Sequence, residues 1–276
     1  MTMTQPVGDL LRTWRQRRRL SQLDLALEAE ISARHLSFLE TGRAQPSREM
    51  LLQLADRLEV PLRDRNILLV AAGYAPVFPE RPLSDPALAA ARKVIDTILT
   101  GHEPHPALAV DRHWTILAHN RAILPLLEGI GEALLRPPIN ALRLALHPDG
   151  LAPRITNFSE WRAHLLSRLH RELELSADPN LAALFEELAA YPKPDTIQQR
   201  GTTSREPGIA VPLHLATRHG PLAFVSTTTV FGTPIDITLA ELALETFFPA
   251  DEATAATMRR LVDSMQEGPA GASASG

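Results

Sequence analysis

The stretch from Leu20 to Arg43, Leu-Ser-Gln-Leu-Asp-Leu-Ala-Leu-Glu-Ala-Glu-Ile-Ser-Ala-Arg-His-Leu-Ser-Phe-Leu-Glu-Thr-Gly-Arg, constrains this chain more than any other. Ser21 is a good N-cap, and Leu23, Leu25, Ala26 and Ala29 follow it at helical spacing. Ile31 falls in a turn, Ser32 caps a second helix with apolar Leu36 and Leu39, and Gly42 stops that helix. Glycine adopts the left-handed C-terminal geometry without steric penalty. Two helices this short, so closely joined, form a helix-turn-helix, whose second helix can enter the DNA major groove.

The flanks complete a small all-α domain. Residues 8–18 read as an amphipathic helix with Leu10, Leu11 and Trp14 inward. Pro46-Ser47 opens a fourth helix with Met50, Leu51, Leu54, Ala55 and Leu58 on one stripe, and Val60-Pro61 begins a fifth that stops near Gly73. Five short helices over residues 1–75 lie near the lower size limit for independent folding. The chain carries a net charge of −4, yet residues 1–75 hold 11 arginines against nine acidic residues. The acidic excess therefore lies elsewhere. The only lysines are Lys93 and Lys193, so every basic group near the motif is Arg, a side chain suited to phosphate and guanine.

Arg15, Leu20-Ser21-Gln22, Leu25-Ala26, Ile31-Ser32, Leu36-Ser37, Leu39-Glu40 and Gly42-Arg43 together resemble the phage-repressor/Cro type of helix-turn-helix, the XRE family, over residues 8–73. The resemblance implies that Gln22 meets phosphate or a base edge, and that Ala33, Arg34, Ser37 and Phe38 form the groove face of the third helix. It also implies Arg43 at a phosphate and an Arg15–Glu40 pair inside the domain. Ser32 and His35 complete the expected DNA-binding set, His35 and Ser37 at phosphates. Guanine O6/N7 is the natural partner of Arg34, and Ala33 and Phe38 can meet at most a thymine methyl. Family base contacts are often amides, so this groove face leaves base preference open. Arg17, Arg18 and Arg19 read equally well as a solvated charge run.

Residues 74–86 hold four prolines and mark a boundary. The expected organisation is a DNA-binding domain at 1–75, a Pro-rich linker with its helix at 76–104, a second domain at 105–266 and a disordered tail at 267–276. The helix opened by Asp85-Pro86 fits a linker, a dimer contact or part of the second core alike. The second domain reads as strands 107–111 and 115–119, a helix from Asn120 to Leu135 bent at Pro125, and a short helix ending at Leu146. A long helix follows with Trp161, Leu165, Leu169 and Leu173 in register, then one opened by Asp178-Pro179. Period two then appears at Ile209, Val211, Leu213 and Leu215, with strands at 222–231 and 239–248 and a last helix from Asp251. The order is α+β: a five-stranded antiparallel sheet with helices on one face, a PAS-like arrangement.

With the first domain, this half resembles the MmyB-like group of XRE regulators. The matching features are Gly73-Tyr74-Ala75-Pro76, Trp114 with Asn120-Arg121, the Trp161 helix, Phe231-Gly232-Thr233-Pro234 and Phe247-Phe248-Pro249-Ala250-Asp251. The resemblance implies a small-molecule sensor for a fatty acid or similar lipid, with no required cofactor. Trp114, Ile116, Phe158, Trp161, Leu165, Phe185, Leu213 and Phe224 are the expected pocket walls, and Arg121, Arg162 or His214 the partners of a ligand carboxylate. Any core of this fold needs the same apolar residues, since a pocket requires unfilled volume and a few polar groups. The alternative is a second domain that serves protein–protein interaction or dimerisation without a small ligand.

Absences narrow the function further. There is no cysteine, hence no disulfide framework and no thiolate site, and no run reaches the roughly 18 to 20 apolar residues of a membrane span. The arginine-rich Trp14–Arg19 segment leaves no room for a secretory signal. A cytoplasmic homodimer acting on double-stranded DNA is the expectation. His102 and His105 are three apart in a loop and His164 and His170 six apart on a helix, which matches no metal pattern. No Gly-x-Ser-x-Gly elbow, phosphate-binding loop or dinucleotide fingerprint occurs, so catalysis is not expected.

Overall fold

Three serines set the rhythm of the N-terminal unit. The computed structural model describes residues 5–176, 178–194 and 211–266, and it begins with α1 (Val7–Arg17), α2 (Gln22–Glu28), α3 (Ala33–Glu40), α4 (Arg48–Arg57) and α5 (Leu62–Ala71). Ser21 Oγ accepts from the Asp24 amide while the Asp24 carboxylate accepts from the Ser21 amide, a reciprocal capping box on α2. Ser32 caps α3 at the His35 amide and Ser47 caps α4 at the Met50 amide. Gly42, at φ +71°, ends α3 in the left-handed region.

The five helices close on Leu11, Trp14, Leu25, Leu36, Leu39, Leu51, Leu54 and Leu68. Leu23 departs from the sequence reading: it is exposed, as is Leu27, because the seven-residue α2 turns only Leu25 and Ala26 inward. Gly8 lets α1 approach the end of α3. A Cβ there would stand 2.5 Å from the Leu39 carbonyl oxygen and 2.7 Å from that of Glu40. The unit extends to Leu83 and takes in Gly232–Ala240 and Glu174–Ser176. In it, Tyr74 Oη donates to the Pro46 carbonyl, Asn66 brackets Val77 and Phe78, and the Ile237 amide donates to the Pro79 carbonyl.

The second unit holds α6 (Ala89–Gly101), β1 (Ala107–Val110), β2 (Ile116–His119), α7 (Ala141–Leu146), α8 (Phe158–Ser176) as far as Leu173, α9 (Pro179–Ala190), β3 (Leu213–Thr217), β4 (Gly220–Val230), β5 (Ala243–Pro249) and α10 (Glu252–Gln266). Its strands form one sheet in the order β2-β1-β5-β4-β3, antiparallel throughout. Directly opposed residues share a face, so the register places Leu108 beside Glu245, Ser226 beside Phe247 and Leu213 beside Phe224 on one side. Asn120 is buried and ties the sheet's edge to α6. Its Oδ1 accepts from the Ala107 amide, and its Nδ2 donates to the Leu99 and His105 carbonyls. The expected linker at 76–104 is thus shared, its proline-rich part in the first unit and α6 in the second.

Two expectations about elements change. Asn120–Leu135 is not an α-helix but two 3₁₀ stretches, Arg121–Leu127 and Glu132–Leu135, because Pro125 interrupts the first and Gly129, at φ +77°, separates them. The last strand begins at Ala243 rather than Leu239, because Asp236 Oδ1 accepts from the Thr238 amide and starts a short helical turn, Ile237–Ala240. Ile209 and the tail at 267–276 lie outside the described residues. No described helix is long and apolar enough to cross a membrane.

Candidate functional site

On the first unit, one carboxylate organises the helix-turn-helix. Arg15 Nε and Nη2 donate to the two oxygens of Glu40 at 2.6 and 2.8 Å, and Arg15 Nη1 donates to the Leu20 carbonyl at 2.8 Å. Burial works to raise the Glu40 carboxyl, but its hydrogen bonds from Arg15 and Gln22 outweigh that and hold it below the usual carboxylate range. Gln22 Nε2 donates to Glu40 at 2.8 Å, so the amide expected to reach DNA is engaged inside the unit. On the outer face of α3, the Arg34 guanidinium lies 5.3 Å and the Arg43 guanidinium 5.9 Å from the centre of the Phe38 ring. Two exposed cations thus share one aromatic support. Ser32 uses its hydroxyl as a cap, Ala33 packs at the core's edge, and His35 Nε2 is 3.3 Å from Met50 Sδ. The expectation that His35 meets phosphate therefore changes: its ring is turned toward α4.

In the second unit, the inward faces of the sheet and of α7 and α8 line a partly open cavity of about 100 Å³. Leu108, Trp114, Ile116, Leu126, Ala141, Ala145, Trp161, Leu165, Leu213, Phe224 and Phe247 are among its wall residues. Trp114 reaches it through a strained turn. Its φ is +65°, unusual for a bulky side chain, and such a conformation costs about 1–3 kcal/mol unless its surroundings fix it. Asp111 Oδ1 fixes it by accepting from the His113 and Thr115 amides, both at 2.8 Å, and the Ala141 amide donates to the Trp114 carbonyl at 2.9 Å.

Trp161, His164, Leu165 and Arg168 recur along α8 at three, four and seven residues, one helical face turned to the cavity. Arg168 Nη2 and Nη1 donate to Glu245 at 2.7 and 3.0 Å, Nε to Glu172 at 3.3 Å, and the guanidinium lies 4.4 Å over the Trp114 ring. Trp114 Nε1 donates to Glu172 at 2.8 Å, and Thr228 Oγ1 to Glu245 at 3.0 Å. Burial works against the Arg168 cation, yet Glu245 and Glu172 hold its pKa above the ordinary value. Burial pushes the Glu172 carboxyl up despite its bonds from Trp114 and Arg168. Burial pushes His164 down, and the nearby Arg168 and Arg171 add to it. Trp161 Nε1 is buried without a hydrogen-bond partner, its ring stacked on His164 at 5.4 Å. Among the described residues no group of three or more His, Cys, Asp or Glu is placed to hold a metal ion.

Residues 91–261 match the MmyB-like transcription regulator ligand binding domain. The chain belongs to the MmyB-like transcription regulators. Residues 6–68 of this regulator match a helix-turn-helix domain family, which makes the first unit a DNA-binding domain. Among solved structures it is similar to the clp gene regulator ClgR from Corynebacterium glutamicum, at 26% identity over 36% of this chain and 90% of that one, with a TM-score of 0.22. It is also similar to an RNA-binding light-oxygen-voltage receptor, at 11% identity over 94% of this chain and 63% of that one, with a TM-score of 0.24. No curated protein matches it.

Of the wall residues expected from sequence, this MmyB-like regulator places Trp114, Ile116, Trp161, Leu165, Leu213 and Phe224 around the cavity. Phe158 is fully buried in the same core without forming its wall, and Phe185 packs at the core's edge against His170. The three candidate carboxylate partners are brought elsewhere. Arg121 Nε donates to Glu103 at 2.6 Å, Arg162 Nη2 donates to the Ala189 carbonyl at 2.7 Å, and His214 is exposed on β3. The polar groups that do line the cavity, His164, Arg168, Ser226 and Glu245, were not among the expected wall residues. Arg168 was signalled by its place seven residues after Trp161, and Glu245 by being the one charged residue of its strand.

Proposed function

We propose that this MmyB-like regulator binds its operator sequence-specifically as a cytoplasmic homodimer and changes its DNA affinity when a fatty acid or related acyl compound enters its PAS-like domain. The carrying observation is the almost wholly apolar, partly open cavity between sheet and helices in a domain of a ligand-binding family. Each methylene moved from water into such a wall contributes about 0.8 kcal/mol. At about 100 Å³ the cavity is smaller than the roughly 150 Å³ that holds a benzene, so an acyl chain must turn wall side chains as it enters. That rearrangement supplies the difference between states which regulation requires. On the DNA side, Arg34, Ser37 and Phe38 are the groove-facing residues and Arg43 a phosphate contact, with a second copy reading the other half-site. The role is non-catalytic and needs no metal or cofactor.

Mass spectrometry of protein extracted under denaturing conditions, with thermal-shift assays against acyl compounds of six to twelve carbons, tests the reading. A co-purified acyl compound and a raised melting temperature are expected. A clean extract with no shift for any chain length leaves the protein-interaction alternative in its place.

A further inference from the structure

A half-buried cation without a counter-ion marks a second cavity of the same unit. Arg154 ends a short 3₁₀ turn, Ala152–Arg154. Its Nη1 donates to the Leu126 and Glu128 carbonyls at 3.0 and 2.8 Å, and its Nε to the Ala216 carbonyl at 3.2 Å. These bonds tie the 3₁₀ stretch Arg121–Leu127 to the end of β3. They explain the shape of an arginine there, not its charge, since carbonyls bring no negative charge. Among the described residues no carboxylate pairs with Arg154. Burial pushes its pKa below the ordinary value, and the field of Glu128 does not restore it. Its Nη2 makes no hydrogen bond among the described residues, yet it is not sealed from solvent.

Arg154 lines an open cavity of about 440 Å³ with Pro125, Glu128, Ala216, Arg218 and His219, and this cavity shares no lining residue with the apolar one. Arg218 Nη2 donates to Glu128 at 2.7 Å and its Nε to His219 Nε2 at 2.9 Å, so His219 Nδ1 carries the ring hydrogen and is a donor. Two guanidiniums thus share one carboxylate, an excess of one positive charge. Independently of the acyl-ligand reading, we propose that this cavity is an oxyanion site for the carboxylate or phosphate group of a small hydrophilic metabolite, with Arg154 Nη2 and the Arg218 guanidinium as its charged donors. A desolvated cation lacking a counter-charge is costly. An entering oxyanion supplies that charge and a charge-assisted hydrogen bond with it. The volume lies within the roughly 300–1,000 Å³ of small-ligand sites, which leaves room for an organic remainder against Pro125 and Ala216.

The test is titration calorimetry of the full chain with sodium lactate and with inorganic phosphate, in chloride at constant ionic strength. Lactate presents one planar carboxylate and phosphate a tetrahedral oxyanion, and both are too hydrophilic for the apolar cavity. Saturable binding of at least one is expected, and the tighter of the two names the group. Arg154→Gln also cuts the ties to three carbonyls, so the location is read through the Arg218 and Glu128 side chains, 69% and 42% exposed. Arg218→Gln is expected to weaken the oxyanion by roughly three- to tenfold. Glu128→Gln removes the competing carboxylate and is expected to strengthen it about threefold, a gain that a merely destabilised protein does not show. No saturable heat from either oxyanion overturns the inference and leaves the acyl-ligand reading standing. Binding that neither variant alters lies elsewhere on the chain, and overturns it equally.

Discussion

Glu40→Gln preserves the shape of the side chain and removes the charge that faces Arg15. The Glu40 side chain is 1% exposed and that of Arg15 10%, so the guanidinium left behind stays buried, with the Leu20 carbonyl at 2.8 Å as its remaining strong acceptor. Removing one partner of a buried ion pair costs about 3–5 kcal/mol, and the glutamine oxygen still accepts one bond, so the lower end, about 3 kcal/mol, is expected. In a unit of this size each kcal/mol moves the midpoint by roughly 4–8 °C, which gives a fall of roughly 12–24 °C. Calorimetry of the full chain reads this in the first unit's transition, with the second unit's transition as internal control. The pH dependence has a definite sign. Glu40 is held below its ordinary value when folded, so its contribution is present above that value and is lost as pH falls through the folded pKa. Wild type therefore weakens on acidification in a way that Glu40→Gln does not. A variant melting within about 2 °C of wild type, or an unchanged acid limb, refutes the reasoning.

Four further outcomes follow from the same geometry. Phe38→Ala removes the ring beneath Arg34 and Arg43 and is expected to weaken operator binding about fivefold, while Arg43→Ala lowers the salt slope by about one; fluorescence anisotropy across a salt series checks both. Ala145→Leu projects three more carbons into the cavity and is expected to abolish the thermal shift by acyl probes at about 1–3 kcal/mol of stability, and an undiminished shift places the ligand elsewhere. Asn120→Ala leaves the Ala107 amide and the Leu99 and His105 carbonyls without their shared partner, and is expected to remove about 2–4 kcal/mol, read by urea denaturation and by faster hydrogen exchange at Ala107.

How much of this was legible in the sequence depended on whether the signal was local. Caps, turn and stop of the helix-turn-helix are local, and Ser21, Ser32, Ser47 and Gly42 stand where spacing put them. The alternation of β3 likewise put Leu213 and Leu215 inward. Long-range pairings were harder. Arg15–Glu40 was expected from a family resemblance, whereas the Gln22–Glu40 bond that joins it spans 18 residues and has no periodicity to reveal it. The cavity's polar edge was missed for the same reason: Arg168 and Glu245 meet across 77 residues, and either alone reads as a surface charge. Arg121 and Arg162 were expected to meet a ligand carboxylate, but Arg121 is held by Glu103 and Arg162 reaches the end of α9 through Nη2. Asn120–Leu135 failed as a helix because Pro125, read as a bend, prevents a regular α-helix, and Gly129 adds a break that the apolar spacing did not show.

Regulation by a ligand demands more than binding. An acyl compound alters operator affinity only as far as it is held differently in the DNA-competent and DNA-incompetent states. At about 0.8 kcal/mol per buried methylene, two carbons seated in one state and not in the other correspond to roughly a tenfold change. The cavity's modest volume makes that contrast attainable, because seating a chain and turning the leucines around it are one event. Linkage then makes the coupling reciprocal: operator DNA must change the affinity for methyl octanoate by the same factor as methyl octanoate changes the affinity for DNA. The comparison with methyl hexanoate isolates the cavity's part, since two fewer methylenes should shrink the coupling by up to about tenfold. Titrating both esters with and without operator reads all four legs of the cycle. Equal ester affinities in the presence and absence of DNA, for a chain that binds both, would make the second unit a carrier of acyl compounds rather than their sensor.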